Sequence, residues 1–399
     1  MQKIIGSSLV FMAAVAGLSL GAWADNGFRG DGCGQYQDVT PPLHWGADSN
    51  IAWGTKLKFS NACPVVLGNQ VFICEEPDTL LALNVADGNV LWKLSNSYAA
   101  VLPPAEAEAC KLPATHPVNG YTSPTPVTDG VNVYAVYCSG VVTGVTPEGK
   151  RLWGRVLPAR PHHNGWGHSA SPRVVDGMLL VHFGNKMFAL DAKTGADKWV
   201  ADAPSGFGSP FVARLDGAAV VITSNGDMFA VADGRKLASA VFKFPWNGPV
   251  VKDNVIYKVD EDGAAAFSLT PDAAGKLPSL WTTPQVPKGR YYATAIVDDG
   301  LVYNVSQGGV LVVLDAKTGA VVYQQALNVG GCAYPSATLA GGRLYVSGDT
   351  GVTVVAKLGR TYEELARNTL TPFRASPVFI GDSMLIRTNN GLCRVQEKK

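Results

Sequence analysis

An eleven-residue phrase recurs along this chain: Ala189-Leu-Asp-Ala-Lys-Thr-Gly-Ala-Asp-Lys-Trp199, then Val313-Leu-Asp-Ala-Lys-Thr-Gly-Ala-Val-Val-Tyr323, and more loosely Ala82-Leu-Asn-Val-Ala-Asp-Gly-Asn-Val-Leu-Trp92. In each copy an apolar strand ends at an Asp or Asn. The chain turns at a Gly free to take positive φ, and a second strand begins and carries an aromatic ring. A supersecondary unit of this size cannot bury its own apolar face. Recurrence therefore restricts the chain to folds in which such units stack on one another.

The units can be delimited. Opening positions stand at Pro64, Pro124, Pro172, Pro210, Pro249, Ala295, Ala337 and Pro377, most of them preceded by Ser or Thr. Turn residues follow four and five places later in six of the eight, for example Asp176-Gly177 and Asp299-Gly300; at Asp129-Gly130 and Asp216-Gly217 they come one or two residues late. Segments such as Leu301-Val-Tyr-Asn-Val alternate with the period of half-buried strands, and no long amphipathic helix interrupts them. Four strands per unit and a spacing near ~40 residues match radial blade architectures. The last unit runs out of chain after Val395 with its fourth strand missing, while 51–57 reads as a strand without a hairpin partner. Pairing the two would remove two open sheet edges. The expectation is an all-β, eight-bladed β-propeller of four-stranded antiparallel blades, closed by an N-terminal strand. A seven-bladed ring with one degenerate unit dropped is the alternative.

The ends supply an address. Residues 1–24 read as a cleaved signal peptide, with Lys3, an apolar run over 9–20 and Ala22-Trp23-Ala24 before Asp25. An irregular arm over 25–50 precedes a single propeller over 51–399. A net charge of +1 gives no electrostatic footprint for nucleic acid, and no second apolar segment approaches membrane length. These features imply a periplasmic or secreted protein, monomeric, without nucleic acid or membrane insertion. Seven cysteines suit an oxidising compartment, the odd count leaving one over. A two-residue turn at Gly68-Asn69 sets Cys63 opposite Cys74, the expected disulfide; Cys110 with Cys138 is a second candidate pair.

The A-x-D-x-x-T-G-x-x-x-W pattern, complete at Ala189–Trp199, resembles the tryptophan-docking motif of pyrroloquinoline-quinone-like (PQQ-like) propellers. The resemblance runs from about Phe28 onward and includes a Phe28-Arg29-Gly30 opening shared with short quinone-like repeat proteins. The outer-membrane-assembly lipoproteins have the same plan, with a lipidated cysteine at the mature start where this chain has Asp25. Catalytic members imply a ring-stacking Trp, a lid of adjacent cysteines, and a calcium held by Glu and Asn beside an Asp base. Trp246 could serve as the stacking floor, but no adjacent cysteine pair occurs. PQQ with calcium is therefore expected only under a dehydrogenase reading, and no cofactor otherwise.

Three residues before each opening stand Asn61, Tyr121, Ser169, Phe207, Trp246, Tyr292, Tyr334 and Arg374, with Trp166, Tyr291 and Phe373 close by. An aromatic-lined mouth of this kind could hold a planar ligand, a sugar or an extended peptide. Alternatively the rings are wedged between blades and buried. His116, His162, His163 and His168, with Cys332, offer weak metal candidates, the alternative being packing histidines. Glu75-Glu76 and Asp260-Glu261-Asp262 fall at turns and read as solvated rather than catalytic. No nucleophile elbow, phosphate loop or zincin motif is present. The reading is an exported, non-catalytic module binding a protein, peptide or carbohydrate at its central mouth. A PQQ-dependent alcohol or sugar dehydrogenase and a metal-binding propeller are the alternatives.

Overall fold

A computed structural model of the chain describes residues 27–158, 165–239 and 246–398. The leader 1–24 and the histidines at 162 and 163 lie outside the described residues. The described strands form eight sheets around a central shaft. Blade one comprises Val65–Leu67, Gln70–Glu75, Thr79–Asn84 and Val90–Ser95, from shaft to rim. The inner strands of blades two to eight begin at Val127, Arg173, Phe211, Val250, Ile296, Thr338 and Val378. Second and third strands are buried on both faces because neighbouring blades cover them, whereas outer strands such as Val90–Ser95 alternate towards solvent.

Blade eight is made from both ends of the fold. Ile51–Lys56 pairs antiparallel with Gly391–Gln396, Ile51 opposite Val395 and Lys56 opposite Gly391, and completes the fourth strand. At five junctions an outer-strand Trp then seals one blade to the next. Trp53 Nε1 donates to Val85 O (2.9 Å), Trp92 to Pro147 O (2.8 Å), Trp153 to Ala192 O (2.9 Å), Trp199 to Val231 O (2.7 Å) and Trp281 to Ala316 O (2.9 Å). Each ring lies over a turn glycine of the receiving blade; a Cβ on Gly88 would stand 2.4 Å from Trp53, and on Gly195 2.5 Å from Trp153. That contact, together with positive φ, is why the repeat needs Gly at this position. Blade seven has Ala366 at the Trp position, and there Trp45 of the arm stacks on Tyr345 and joins the core between blades seven and eight.

The arm is not wholly irregular. Gln35–Tyr36 pairs in parallel with the inner strand of blade seven. Arg29 is 1% exposed, and its Nη2 donates to the carbonyls of Cys33, Ala295 and Ala337. Arg173 of blade three holds the arm from the other side through Phe28 O and Gly30 O. Burial lowers the Arg29 pKa to about 10.

No disulfide joins Cys63 to Cys74. The register around Gly68-Asn69 is the expected one, Val65 opposite Phe72 and Leu67 opposite Gln70, but pairing ends at Val65. Cys63 packs with Val66 and Ile73 towards blade eight, and its Sγ accepts Ser376 N–H (3.2 Å); Cys74 packs with Phe72 towards blade two, beside Tyr137 Oη. The two thiols therefore face opposite sides of one blade, and burial pushes the Cys74 thiol up to about 12.

Candidate functional site: a cup at the blade openings

The segments entering the inner strands surround a cup of about 380 Å³, into which Phe28 of the arm also reaches. Beneath its rim runs a belt of buried hydroxyls and one thiol, Cys63 Sγ, from the residues before the openings. Cys63 N donates to Thr125 Oγ1, Thr125 N to Ser171 Oγ, Ser171 N to Ser209 Oγ, Thr294 N to Ser336 Oγ, Ser336 N to Ser376 Oγ and Ser376 N to Cys63 Sγ, all within 2.9–3.2 Å. Blade five breaks the pattern. Gly248 stands in place of the hydroxyl, and a Cβ there would lie 2.5 Å from Ser209 O. The signal for this belt was the Ser or Thr preceding each opening proline.

The belt also corrects one alignment. Blade two opens at Pro126, not Pro124, because its inner strand starts at Val127 and Thr125 supplies the hydroxyl. Its mouth residue is therefore Ser123, which lines the cup, and Tyr121 does not line it. The Tyr121 hydroxyl instead donates to Pro113 O.

The other mouth positions meet as aligned: Asn61, Ser169, Phe207, Trp246, Tyr292, Tyr334 and Arg374 all line the cup. They divide it in two. Blades four to seven supply an aromatic arc in which Phe207 stacks on Trp246 (5.4 Å, 9°), Trp246 meets Tyr292 edge-on (5.8 Å) and Tyr292 stacks on Tyr334 (4.4 Å, 14°). Asn61, Ser123 and Ser169 form the polar side, extended by Val118, Asn119 and Trp166 from two loops. Trp166, 41% exposed, stacks on His116 at 4.0 Å. The arc rings are half-buried and open to the cup, whereas the adjacent Tyr291 and Phe373 are fully buried, as the wedging alternative expects.

Two cations cap the arc. The Arg290 guanidinium lies 4.5 Å from the Trp246 ring centre and donates to Tyr292 Oη (3.3 Å). Arg374 lies 4.9 Å from the Tyr334 ring and pairs with Asp349 (3.3 Å). Burial, with the neighbouring Tyr292, pushes the Tyr334 phenol up to about 12, so it remains a neutral hydrogen-bonding group. Sequence reasoning did not place Phe28, Asn247 or Arg290 at the mouth, since they sit off the mouth register.

Among the described residues the histidines do not form a cluster. His168 is buried with its ring edge on Phe183, and His116 is occupied by Trp166. Cys332 lies beside Gln307 and Asp349. Among the described residues no group of three or more His, Cys, Asp or Glu is placed to hold a metal.

Of the acidic turn residues expected to be solvated, Glu261 and Asp262 are exposed, but Glu75, Glu76 and Asp260 are held by the protein. Glu75 is buried, bonded to Lys93 Nζ and Lys58 N. Glu76 accepts from Tyr121 N, Thr122 N and Thr122 Oγ1. Asp260 is buried beside Lys258, and burial raises its pKa. They anchor loops. None of the described residues lining the cup is an aspartate or glutamate. The Trp246 ring is already engaged by Phe207 and Arg290. The donor set of the described residues therefore does not fit a quinone held beside calcium, which needs carboxylate ligands and a base.

No helix among the described residues is long and apolar enough to cross a membrane. A profile of the family described as outer membrane protein assembly factor BamB matches residues 43–263 and 252–365. The BamB protein of Alkalilimnicola ehrlichii is 25% identical over 217 residues, 53% of this chain and 52% of that protein, so the chain spans about half the length of this relative. Among solved structures, BamB from Moraxella catarrhalis superposes with TM-score 0.64 at 13% identity, over 86% of this chain and 96% of that one. A europium-containing methanol dehydrogenase superposes with TM-score 0.65 at 12% identity, over 86% of this chain and 85% of that one. At these identities the likeness is one of fold. The docking tryptophans, the closing strand and the profile match agree: the chain belongs to the PQQ-like repeat propeller family whose profile is described as that of BamB.

Proposed function

We propose that this chain is an exported, non-catalytic scaffold that holds a partner protein or peptide in its central cup. The observation carrying this reading is the half-exposed arc Phe207–Trp246–Tyr292–Tyr334 with Arg290 and Arg374, in a cup whose described lining has no carboxylate. Aromatic rings and arginines dominate binding energy at protein interfaces, because they bury large area at low entropic cost. A general base or a cation-holding carboxylate would serve hydrolysis or dehydrogenation instead. Membership of a family described by an assembly factor supports a partner-binding role in the periplasm. Carbohydrate is the competing ligand class for an aromatic wall.

The test is capture at the cup. A photo-crosslinking residue placed at Tyr334 should trap a partner in cells. Trp246→Ala with Tyr292→Ala should abolish trapping at an unchanged melting temperature. A large loss of stability would make the rings core rather than site. Dye reduction by alcohols or sugars in the presence of added quinone and calcium would overturn the non-catalytic reading.

A further inference from the structure

The polar atoms of the cup point to the chemistry of what it holds. Asn247 is 3% exposed, and its Nδ2 donates to Val259 O and Ala293 O, both at 3.1 Å. Those two carbonyls fix which end of the amide is which, so Oδ1 is the acceptor on the remaining side. That atom has no hydrogen-bond partner, nor does the adjacent Trp246 Nε1. Buried polar atoms are nearly always paired, and an unpaired one costs free energy. A second couple lies at the junction of blades eight and one. Arg374 Nη1 and Asn61 Nδ2 both donate to Val118 O, which brings the two side chains together, and Arg374 Nε and Asn61 Oδ1 have no partner. Each couple offers one unpaired donor and one unpaired acceptor from residues that line the cup, the two groups a peptide unit would satisfy.

Charge narrows the class. Among the described residues no carboxylate is in ion-pair contact with Arg290, and its guanidinium lies over the same Trp246 whose indole N–H has no partner. An anion on Arg290 would therefore sit within one residue of a main-chain amide held by Trp246 and Asn247. We infer that the cup takes an extended acidic peptide, its successive amides on the Trp246–Asn247 and Arg374–Asn61 couples and a side-chain carboxylate on Arg290. This inference rests on the partner-binding reading above. A saccharide carrying one acetamido group would satisfy a single couple and offer Arg290 nothing, which is why peptide is favoured.

The test uses the full chain and isothermal titration of acetyl-Gly-Phe-Glu-Gly-amide, its Lys-for-Glu analogue, and esters replacing each internal amide in turn. The Glu peptide should bind saturably, with the Lys analogue about tenfold weaker or more. At least one ester should be weaker by about fivefold, having lost the N–H for Asn247 Oδ1. Arg290→Gln should erase the Glu-over-Lys preference. Trp246→Phe, which keeps a smaller ring against Phe207 and removes the indole N–H, should weaken the amide peptide more than the ester peptide, by about threefold, at an unchanged melting temperature. Equal binding of the Glu, Lys and ester peptides, lost in Tyr334→Ala, would overturn the acidic-peptide inference and leave the cup as a partner site. Tighter binding of N-acetylglucosamine oligomers would do the same. If neither peptide nor saccharide binds, the inference and the partner-binding reading fall together.

Discussion

The seal between the closing strand and blade one can be measured as a coupling energy. Trp53 donates to Val85 O (2.9 Å), and its ring occupies the space where a Cβ on Gly88 would stand, 2.4 Å away. Trp53→Ala removes one hydrogen bond, worth about 1 kcal/mol. It also removes the packing of a half-buried indole, about 2 kcal/mol when a fully buried Trp costs roughly 3–5. A loss of about 3 kcal/mol spread over a ring of roughly 350 residues lowers the melting temperature by roughly 4 °C. Gly88→Ala has two costs: strain at φ +72°, about 1 kcal/mol, and displacement of the ring, about 2 kcal/mol more. Once Trp53 is gone, the strain and the close contact with Thr55 Oγ1 (2.8 Å) remain but the cost of displacing the ring does not. The double variant should therefore cost about 2 kcal/mol less than the sum of the single variants. Trp92 with Gly149, 2.6 Å apart by the same measure, supplies an internal comparison. Urea unfolding followed by far-ultraviolet circular dichroism reads all the variants. Additivity at 53 and 88 within about 0.5 kcal/mol, alongside coupling at 92 and 149, would show that Ile51–Lys56 does not seal the ring.

Three further outcomes are expected. Ser336→Ala leaves the Thr294 amide without its acceptor and should cost about 1–2 kcal/mol in urea unfolding, whereas Cys63→Ser keeps an acceptor for Ser376 N and should be nearly neutral. Tyr334→Ala should weaken partner capture while Tyr121→Ala leaves it unchanged, in a crosslinking or titration assay, because only the former lines the cup. The bond from Arg360, with help from Thr318, lowers the Asp315 pKa to about 2. A depressed acid stabilises the fold above its unfolded pKa and loses that contribution as pH falls. The melting-temperature difference between the natural chain and Arg360→Ala should thus be full near neutrality and vanish between roughly pH 4 and pH 2.

Most of the fold was legible because its determinants are local. A Gly that must accept an indole, an Asp that caps its own turn and a period-two strand recur at constant spacing, and each repeat confirms the last. The donor strand was readable as well, since one unit lacked a strand and one strand lacked a unit. What escaped depended on register or on distant chain. A shift of two residues at Pro124-Thr125-Pro126 put Tyr121 at the mouth instead of Ser123, and either proline satisfies the same local rule. The Cys63–Cys74 pairing failed although the strand register held, because the ladder stops before Cys63 and its side chain leaves the face that Cys74 shares. Asn247 and Arg290 became visible only once blades five and six were placed around a common shaft. No local pattern marks a side chain whose partner is a ligand.

Joining the first and last strands of the fold in one sheet also sets an order in time. Residues 51–56 are made early in synthesis, whereas their partner, 391–396, follows only after the inner strands of all eight blades. Blades one to seven can form in sequence as they appear, by contacts close along the chain, while the early strand waits with an exposed edge. The circle is fastened last, once residues 391–396 have been made. A chain cut short anywhere before residue 396 leaves that early edge unpaired, the state most exposed to aggregation or proteolysis. Closure of the ring therefore waits on the strand 391–396.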